Sequence, residues 1–169
     1  MKIKQLSIFL QNRMGSLSKP LEVLSDADVI VHQVNCQGIM GSGVAFQVRQ
    51  KYPDVYKQYR NYCCRYENTA DMLGHIQTIC VGKDPVRYIV NLFAQDRIGV
   101  RGEQYTDYDS LRKCLTQVNV RFKGKRIAVP YLMSCCRGGG DWGIVSNMIT
   151  DTLPDCDVTF YKYTPEVDQ

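Results

Sequence analysis

The chain has no run of about eighteen apolar residues that could cross a bilayer, and its opening patch, MKIKQLSIFLQNR, is too short and interrupted for a signal peptide. No CxxC spacing occurs among its eight cysteines, which argues against a zinc ribbon or a dithiol redox site. Cys36, Cys80, Cys114 and Cys156 stand singly in apolar segments, and Cys63-Cys64 and Cys135-Cys136 are adjacent pairs. Scattered free thiols behave as small hydrophobes, so the expectation is a cytoplasmic protein in a reducing compartment, with no metal and no cofactor. The formal charge is only +4, with basic residues read as dispersed. Such a charge permits an anionic ligand without drawing a nucleic-acid footprint. GK[ST] and GxGxxG are both missing, which excludes the P-loop lysine and the dinucleotide fingerprint. Repeats and interdomain linkers are missing too.

What is present is the composition of an ordinary globular protein, 44% apolar and 22% charged over 169 residues, expected to form a single domain. IKQLSIFL (3–10) reads as a first strand. Leu17, Leu21 and Leu24 give helical spacing from Ser16 to Asp26, and VIVHQV (29–34) is a continuous apolar strand of the kind buried on both faces. A helix over 43–51 must stop before Pro53, which suits the first position of the next helix. Strands follow over 75–81 and 86–93, joined by a hairpin-like Gly82-Lys83-Asp84-Pro85 turn. The spacing predicts a helix over 106–121, with Thr106 and Asp109 as a capping box. After it come a strand over 126–132, a helix from Asp141 to Thr152, a strand over 157–163 and a loose tail. Alternation of this kind specifies an α/β protein, a three-layer α/β/α arrangement around a mixed central sheet.

Two glycine-rich turns, Gly38–Gly43 and Ser134–Gly140, lie where strands feed helices. Backbone N–H groups at a helix start have no intrahelical partner and sit at the positive end of the helix dipole, so each turn can hold an anion, phosphate above all. Each can also be only a tight connection that needs glycine. With two such turns at sheet ends, a ligand carrying a diphosphate is the expectation.

Three stretches carry a resemblance: HQVNCQGIMGSGVAFQVRQKYPDVYKQY, then NLFAQDR with YTDYDSLRKCL, then IAVPYLMSCCRGGGDW with VTFYKY. From about Asp28 to Tyr163 the chain resembles the macro domain, a fold that binds ADP-ribose. It is similar to microbial and phage members related to ADP-ribose-1″-phosphate phosphatases and terminal ADP-ribose hydrolases. The resemblance implies ADP-ribose or an ADP-ribosylated substrate as partner, with no membrane and no direct nucleic-acid binding unless the nucleic acid is ADP-ribosylated. It implies Asn35, Gln37, Gly38, Met40, Gly41, Ser42, Gly43 and Val44 around the distal ribose and diphosphate. Cys135, Arg137, Gly138, Gly139 and Gly140 would close from the other side. Tyr161 would stack on adenine, against the alternative of plain packing.

The pattern also breaks. The lysine of the lysine-dependent hydrolase branch has Gln95-Asp96 in its place, and the expected loop acid falls on Gly138, so a covalent lysine route is not expected. His32 occupies the strand position of a histidine in the phosphatase-like branch. It reads either as a catalytic acid or base or as a satisfied strand histidine. Asp141 reads either as a water-orienting carboxylate or as a helix cap. With Asn35 these form the candidate catalytic set. The usual adenine-binding aspartate is missing near Leu10–Arg13, leaving Asn12 or Asp28 as substitutes. The first 28 residues instead resemble the start of an ACT domain, so residues 1–28 would supply an atypical first strand and helix. The implied activity is hydrolysis of an ADP-ribose ester, glycosidic bond or 1″-phosphate; a reader module without turnover is the alternative.

Overall fold

A computed structural model describes residues 6–10, 27–82, 86–99 and 102–165. The expected helix over 16–26, the Gly82–Pro85 turn residues 83–85, Asn12 and the tail from 166 lie outside the described residues.

The elements in chain order are β1 (Leu6–Leu10), β2 (Val29–Asn35), α1 (Gly43–Lys51), α2 (Pro53–Cys63), a 3-10 turn (Thr69–Met72), β3 (Ile76–Cys80), β4 (Tyr88–Gln95), α3 (Tyr108–Arg121), β5 (Arg126–Pro130), α4 (Trp142–Thr152) and β6 (Asp157–Pro165). Six strands form one sheet in the order β1-β6-β5-β2-β4-β3. All neighbours are parallel except β3, which pairs antiparallel with β4. The sheet is therefore mixed, as expected.

Strand periodicity sorts the side chains. Val29, Val31, Val90, Leu92, Ala94, Ile127 and Val129 face α3 and α4 and join Leu111, Leu115, Val145 and Ile149 in one core. Ile30, Ile89 and Ala128 face the other way, against Val48, Tyr52 and Val55 of the α1–α2 layer. Both central strands are buried on both faces, which is why they read as unbroken apolar runs. Each such side chain contributes about 1.5–3 kcal/mol of burial.

Strand β4 lies two residues later than the expected 86–93, and two other boundaries differ from expectation for identifiable reasons. Helix α3 is capped not by Thr106 but by Asp107, whose carboxylate accepts from the Ser110 N–H at 2.7 Å. Thr106 is buried, and its hydroxyl bonds into the cleft floor described below. Strand β5 ends at Pro130 because Leu132 turns into the left-handed region at φ 59.

The chain leaves β2 toward β4 and leaves β5 toward β6, so its direction across the sheet reverses between these two neighbours. Parallel strands that diverge in this way leave a crevice at their carboxyl ends. Both glycine-rich turns begin there.

Candidate functional site

A cleft of about 410 Å3 opens over the ends of β2 and β5. One wall runs from Asn35 to Ala45, the other from Pro130 to Gly138, and Gln95, Ile98 and Gly99 close the end beside β4.

Asn35 builds the first wall. Its Oδ1 accepts from the N–H groups of Gln37 at 2.9 Å and Ile39 at 3.3 Å, and its Nδ2 donates to the Ile39 carbonyl at 2.7 Å. An amide nitrogen carries two hydrogens, so one remains for a ligand. Below the loop, the buried Tyr59 hydroxyl lies 2.6 Å from the Asn35 carbonyl oxygen. Burial raises this phenol well above its ordinary pKa, so it stays a neutral donor.

Helix α1 starts at this wall without a side-chain cap. Ser42 is extended at the cap position, its hydroxyl makes no capping bond, and no acid stands in the first turn. The first N–H groups, which no helix can satisfy internally, are left for something in the cleft. Helix α4 differs. The Asp141 carboxylate accepts from the Ile144 N–H at 3.0 Å, while the Asp141 N–H donates to the Tyr108 hydroxyl at 2.8 Å. The second glycine turn thus leads to a helix start already holding an anion of its own, and of these two helices α1 is the one open to a foreign anion.

The second wall is held under backbone strain. Leu132 (φ 59) and Ser134 (φ 70) are left-handed non-glycine residues, each costing about 1–3 kcal/mol. Side-chain bonds hold Ser134 there. Its hydroxyl donates to Gln33 Oε1 at 2.5 Å, and its carbonyl accepts from the Thr106 hydroxyl at 2.9 Å and the Gly140 N–H at 3.0 Å. Gln33 Nε2 in turn donates to Thr106 Oγ1 at 3.0 Å and Gln95 Oε1 at 3.1 Å, and Gln95 Nε2 to the Arg97 carbonyl at 2.7 Å. This neutral network fills the position next to Gly138. A Cβ on Gly138 would lie 2.3 Å from Thr106 Oγ1 and 2.4 Å from the Ser134 carbonyl oxygen. No acid can occupy that position while the network stands.

His32 borders the cleft from β2 but is only 1% exposed, and neither ring nitrogen finds a hydrogen-bond partner among the described residues. Burial pulls its pKa down to about 4. It is neutral at pH 7. Burial pushes the Cys135 thiol up to about 11, so that sulfur is no thiolate. Among the described lining residues there is no Asp, Glu or Lys, and Arg137 is the one cation.

Of the residues expected at the site, His32, Asn35, Gly41, Ser42, Gly43, Val44, Arg137 and Gly138 line the cleft. The others stand behind it. Gln37 is exposed, Gly38 (φ +72) backs onto Cys63 and Arg60, and Met40 is fully buried with Val34 and Tyr59. Cys135 donates to the Met133 carbonyl at 3.2 Å, and Gly139 and Gly140 pack on Glu103 and Ser134. Asp141 is the helix cap. Tyr161 packs on the α1–α2 side of the core, while Tyr131, one residue beyond β5, is the aromatic in the cleft wall. Asp28 precedes β2, at the opposite end of the sheet, and is paired with Arg126 at 3.1 Å, which lowers its pKa. It cannot replace the missing adenine acid. Gln33 and Tyr131 escaped the sequence reading, while Gln95 and Ser134 entered it only as the stand-in for a lysine and as the first residue of the second loop; for Tyr131 the signal was its place at a strand's carboxyl end.

The Macro domain family model matches residues 31–149. A DNA ADP-ribosyl glycohydrolase of Mycobacterium tuberculosis is 28% identical over 144 residues, covering 81% of this chain and 39% of that protein. An ADP-ribose 1″-phosphate phosphatase of Meyerozyma guilliermondii is 28% identical over 92 residues, covering 49% of this chain and 53% of that protein. The chain thus spans 39% to 53% of the length of these two relatives. Among solved structures, the macrodomain of Mycobacterium tuberculosis DarG superposes with a TM-score of 0.66 at 25% identity, covering 92% of this chain and 98% of that one.

Proposed function

The chain belongs to the macro domain family, and we propose that it binds ADP-ribose or an ADP-ribosylated substrate in the cleft and hydrolyses a bond at the distal ribose. The observation that carries the reading is the uncapped start of α1 opening into a cleft whose walls bear no carboxylate. An anion held there gains both the orphan N–H groups and the helix dipole. Asn35 lines the same space, and the second hydrogen of its Nδ2 serves the distal ribose. Tyr131, in the cleft wall and edge-on to Trp142 at 5.0 Å, takes the role expected of Tyr161 beside the adenine.

The chemistry follows from what the walls lack. With no lysine in the lining, a covalent amine intermediate has no nucleophile. With no carboxylate and a buried, neutral His32, the protein supplies position and backbone dipoles, and an oxygen of the substrate itself orients the attacking water. Such a site favours leaving groups that depart as anions and need no proton, namely an acyl ester or a 1″-phosphate. Arg137 stands at the wall to receive the departing charge. A nitrogen-linked leaving group, which needs protonation, fits less well.

A second reading is a reader that binds without turnover. The closed Gln33–Gln95–Thr106–Ser134 network favours it, because its polar atoms are committed to one another rather than to a substrate. Calorimetric titration with ADP-ribose, with AMP as comparator, tests the binding. Incubation with ADP-ribose 1″-phosphate, an ADP-ribosyl ester and an ADP-ribosylated oligonucleotide tests turnover. Release of phosphate or ADP-ribose removes the reader, and no release from any of the three removes the hydrolase.

A further inference from the structure

The dispersed charge read from the sequence holds for most of the chain but not for residues 49–65. That segment carries Arg49, Lys51, Lys57, Arg60 and Arg65 against a single acid, Asp54, so it holds the whole +4 of the formal charge. Helix α2 turns Val55, Tyr59 and Cys63 into the core, and Lys57, Arg60 and Asn61 outward. Arg49, at the end of α1, lies over the Tyr56 ring at 4.5 Å, and Arg60 approaches the same ring at 6.0 Å. Arg49, Lys57, Arg60 and Arg65 are exposed and form no ion pair among the described residues. The face adjoins the cleft, because the Arg60 side chain packs behind Gly38, within 3.8 Å of where a Cβ would stand.

We propose that this α1–α2 face is a docking surface for the nucleic-acid strand of an ADP-ribosylated substrate, which runs from the cleft over Gly38 and along α2. The proposal rests on the ADP-ribose reading of the cleft. Charge complementarity selects a polyanion, since unpaired guanidinium and ammonium groups gain by neutralising successive phosphates. Two guanidinium groups over the half-exposed ring of Tyr56 favour a strand with bases to stack over an acidic peptide. Arg137, on the opposite wall, adds a cation where the strand would enter.

The test is fluorescence anisotropy of a labelled, unmodified single-stranded oligonucleotide, with wild-type protein and the triple variant Lys57→Glu/Arg60→Glu/Arg65→Glu, at several salt concentrations. ADP-ribose titration of both proteins runs alongside. The expected result is a loss of at least about tenfold in oligonucleotide affinity and a salt slope smaller by about 2, for three lost phosphate contacts on a single strand. ADP-ribose affinity stays unchanged. Equal binding by wild type and variant overturns the proposal, as does wild-type binding of polyglutamate as tight as that of the oligonucleotide. If the charge reversal also weakens ADP-ribose, the milder Lys57→Gln/Arg60→Gln/Arg65→Gln decides, and there a parallel loss of both ligands overturns the separate face. Oligonucleotide binding that depends on the triad while wild type ignores ADP-ribose upholds the basic face and removes the reading of the cleft.

Discussion

The Tyr59 hydroxyl lies 2.6 Å from the backbone carbonyl oxygen of Asn35 and 3.0 Å from its Oδ1, so a buried phenol on α2 holds the loop that opens α1. Tyr59→Phe keeps the ring in its cavity against Phe93 but leaves that buried carbonyl without its donor. An unsatisfied buried acceptor costs about 1–3 kcal/mol. Urea unfolding should show this loss, and ADP-ribose affinity should fall with it, because Asn35 positions the N–H groups of Gln37 and Ile39. A stable variant with wild-type affinity would mean that the loop holds its shape without the phenol.

Restoring the acid that related hydrolases place in the second loop should fail. In Gly138→Asp the new Cβ meets Thr106 Oγ1 at 2.3 Å and Gln33 Nε2 at 2.8 Å. Overpacking of this kind costs about 1–3 kcal/mol or more. Gly138→Asp is expected to melt earlier and to gain no hydrolysis. Gly138→Asp with Thr106→Gly should not recover the melting temperature, because the Ser134 carbonyl oxygen still collides with the new Cβ and loses the hydroxyl that donates to it. A thermal melt and a product assay on the single and double variants check both statements.

His32 gives a pH dependence whose sign is fixed by the direction of its shift. Its folded pKa is depressed to about 4, whereas an unfolded histidine titrates near 6.5. Between these values the unfolded chain binds the proton and the folded chain does not, so stability falls as pH drops from about 6.5 to about 4. The shift corresponds to about 3 kcal/mol at most. Urea midpoints measured across that window should decline for wild type and flatten for His32→Leu. A decline of equal steepness in the variant would assign it to other groups.

The periodic features of this fold were legible in sequence. The run VIVHQV read as a buried strand and VRYIVNLF as a strand, which the structure sets two residues later, and both glycine-rich turns read as lying at strand ends. Helix α1 ended where Tyr52-Pro53 required it to. The site was legible only where one segment makes it by itself, as Asn35–Val44 does. The network of Gln33, Gln95, Thr106 and Ser134 joins four segments up to 101 positions apart, and no local pattern announces it. The sequence left two uses open for Asp141, catalytic carboxylate or cap, and that choice depends on whether the side chain faces the cleft or the next turn of its own helix. Tyr131 lies in the cleft wall and Tyr161 does not, and the turn after Tyr131 is built by Leu132 and Ser134 in a conformation non-glycine residues rarely take, which no sequence pattern announces.

The two glycine turns lead to helix starts of opposite character, and substitutions of opposite sense separate them. Asp141 caps α4 and does not line the cleft, so Asp141→Ala should cost about 0.5–2 kcal/mol of stability and leave ADP-ribose affinity near wild type. Ser42 heads α1 without capping it. Ser42→Asp supplies the missing carboxylate to the first-turn N–H groups and the dipole, and should raise stability by about 0.5–1 kcal/mol. The same carboxylate occupies the donors proposed for the diphosphate and would repel it, so affinity for ADP-ribose should fall by about tenfold, equivalent to about 1.4 kcal/mol. Stability and affinity therefore move in opposite directions at Ser42, a combination that general damage to the loop does not produce. Thermal unfolding and calorimetry on both variants read the four quantities. A more stable Ser42→Asp protein that still binds ADP-ribose at wild-type strength would move the diphosphate away from α1.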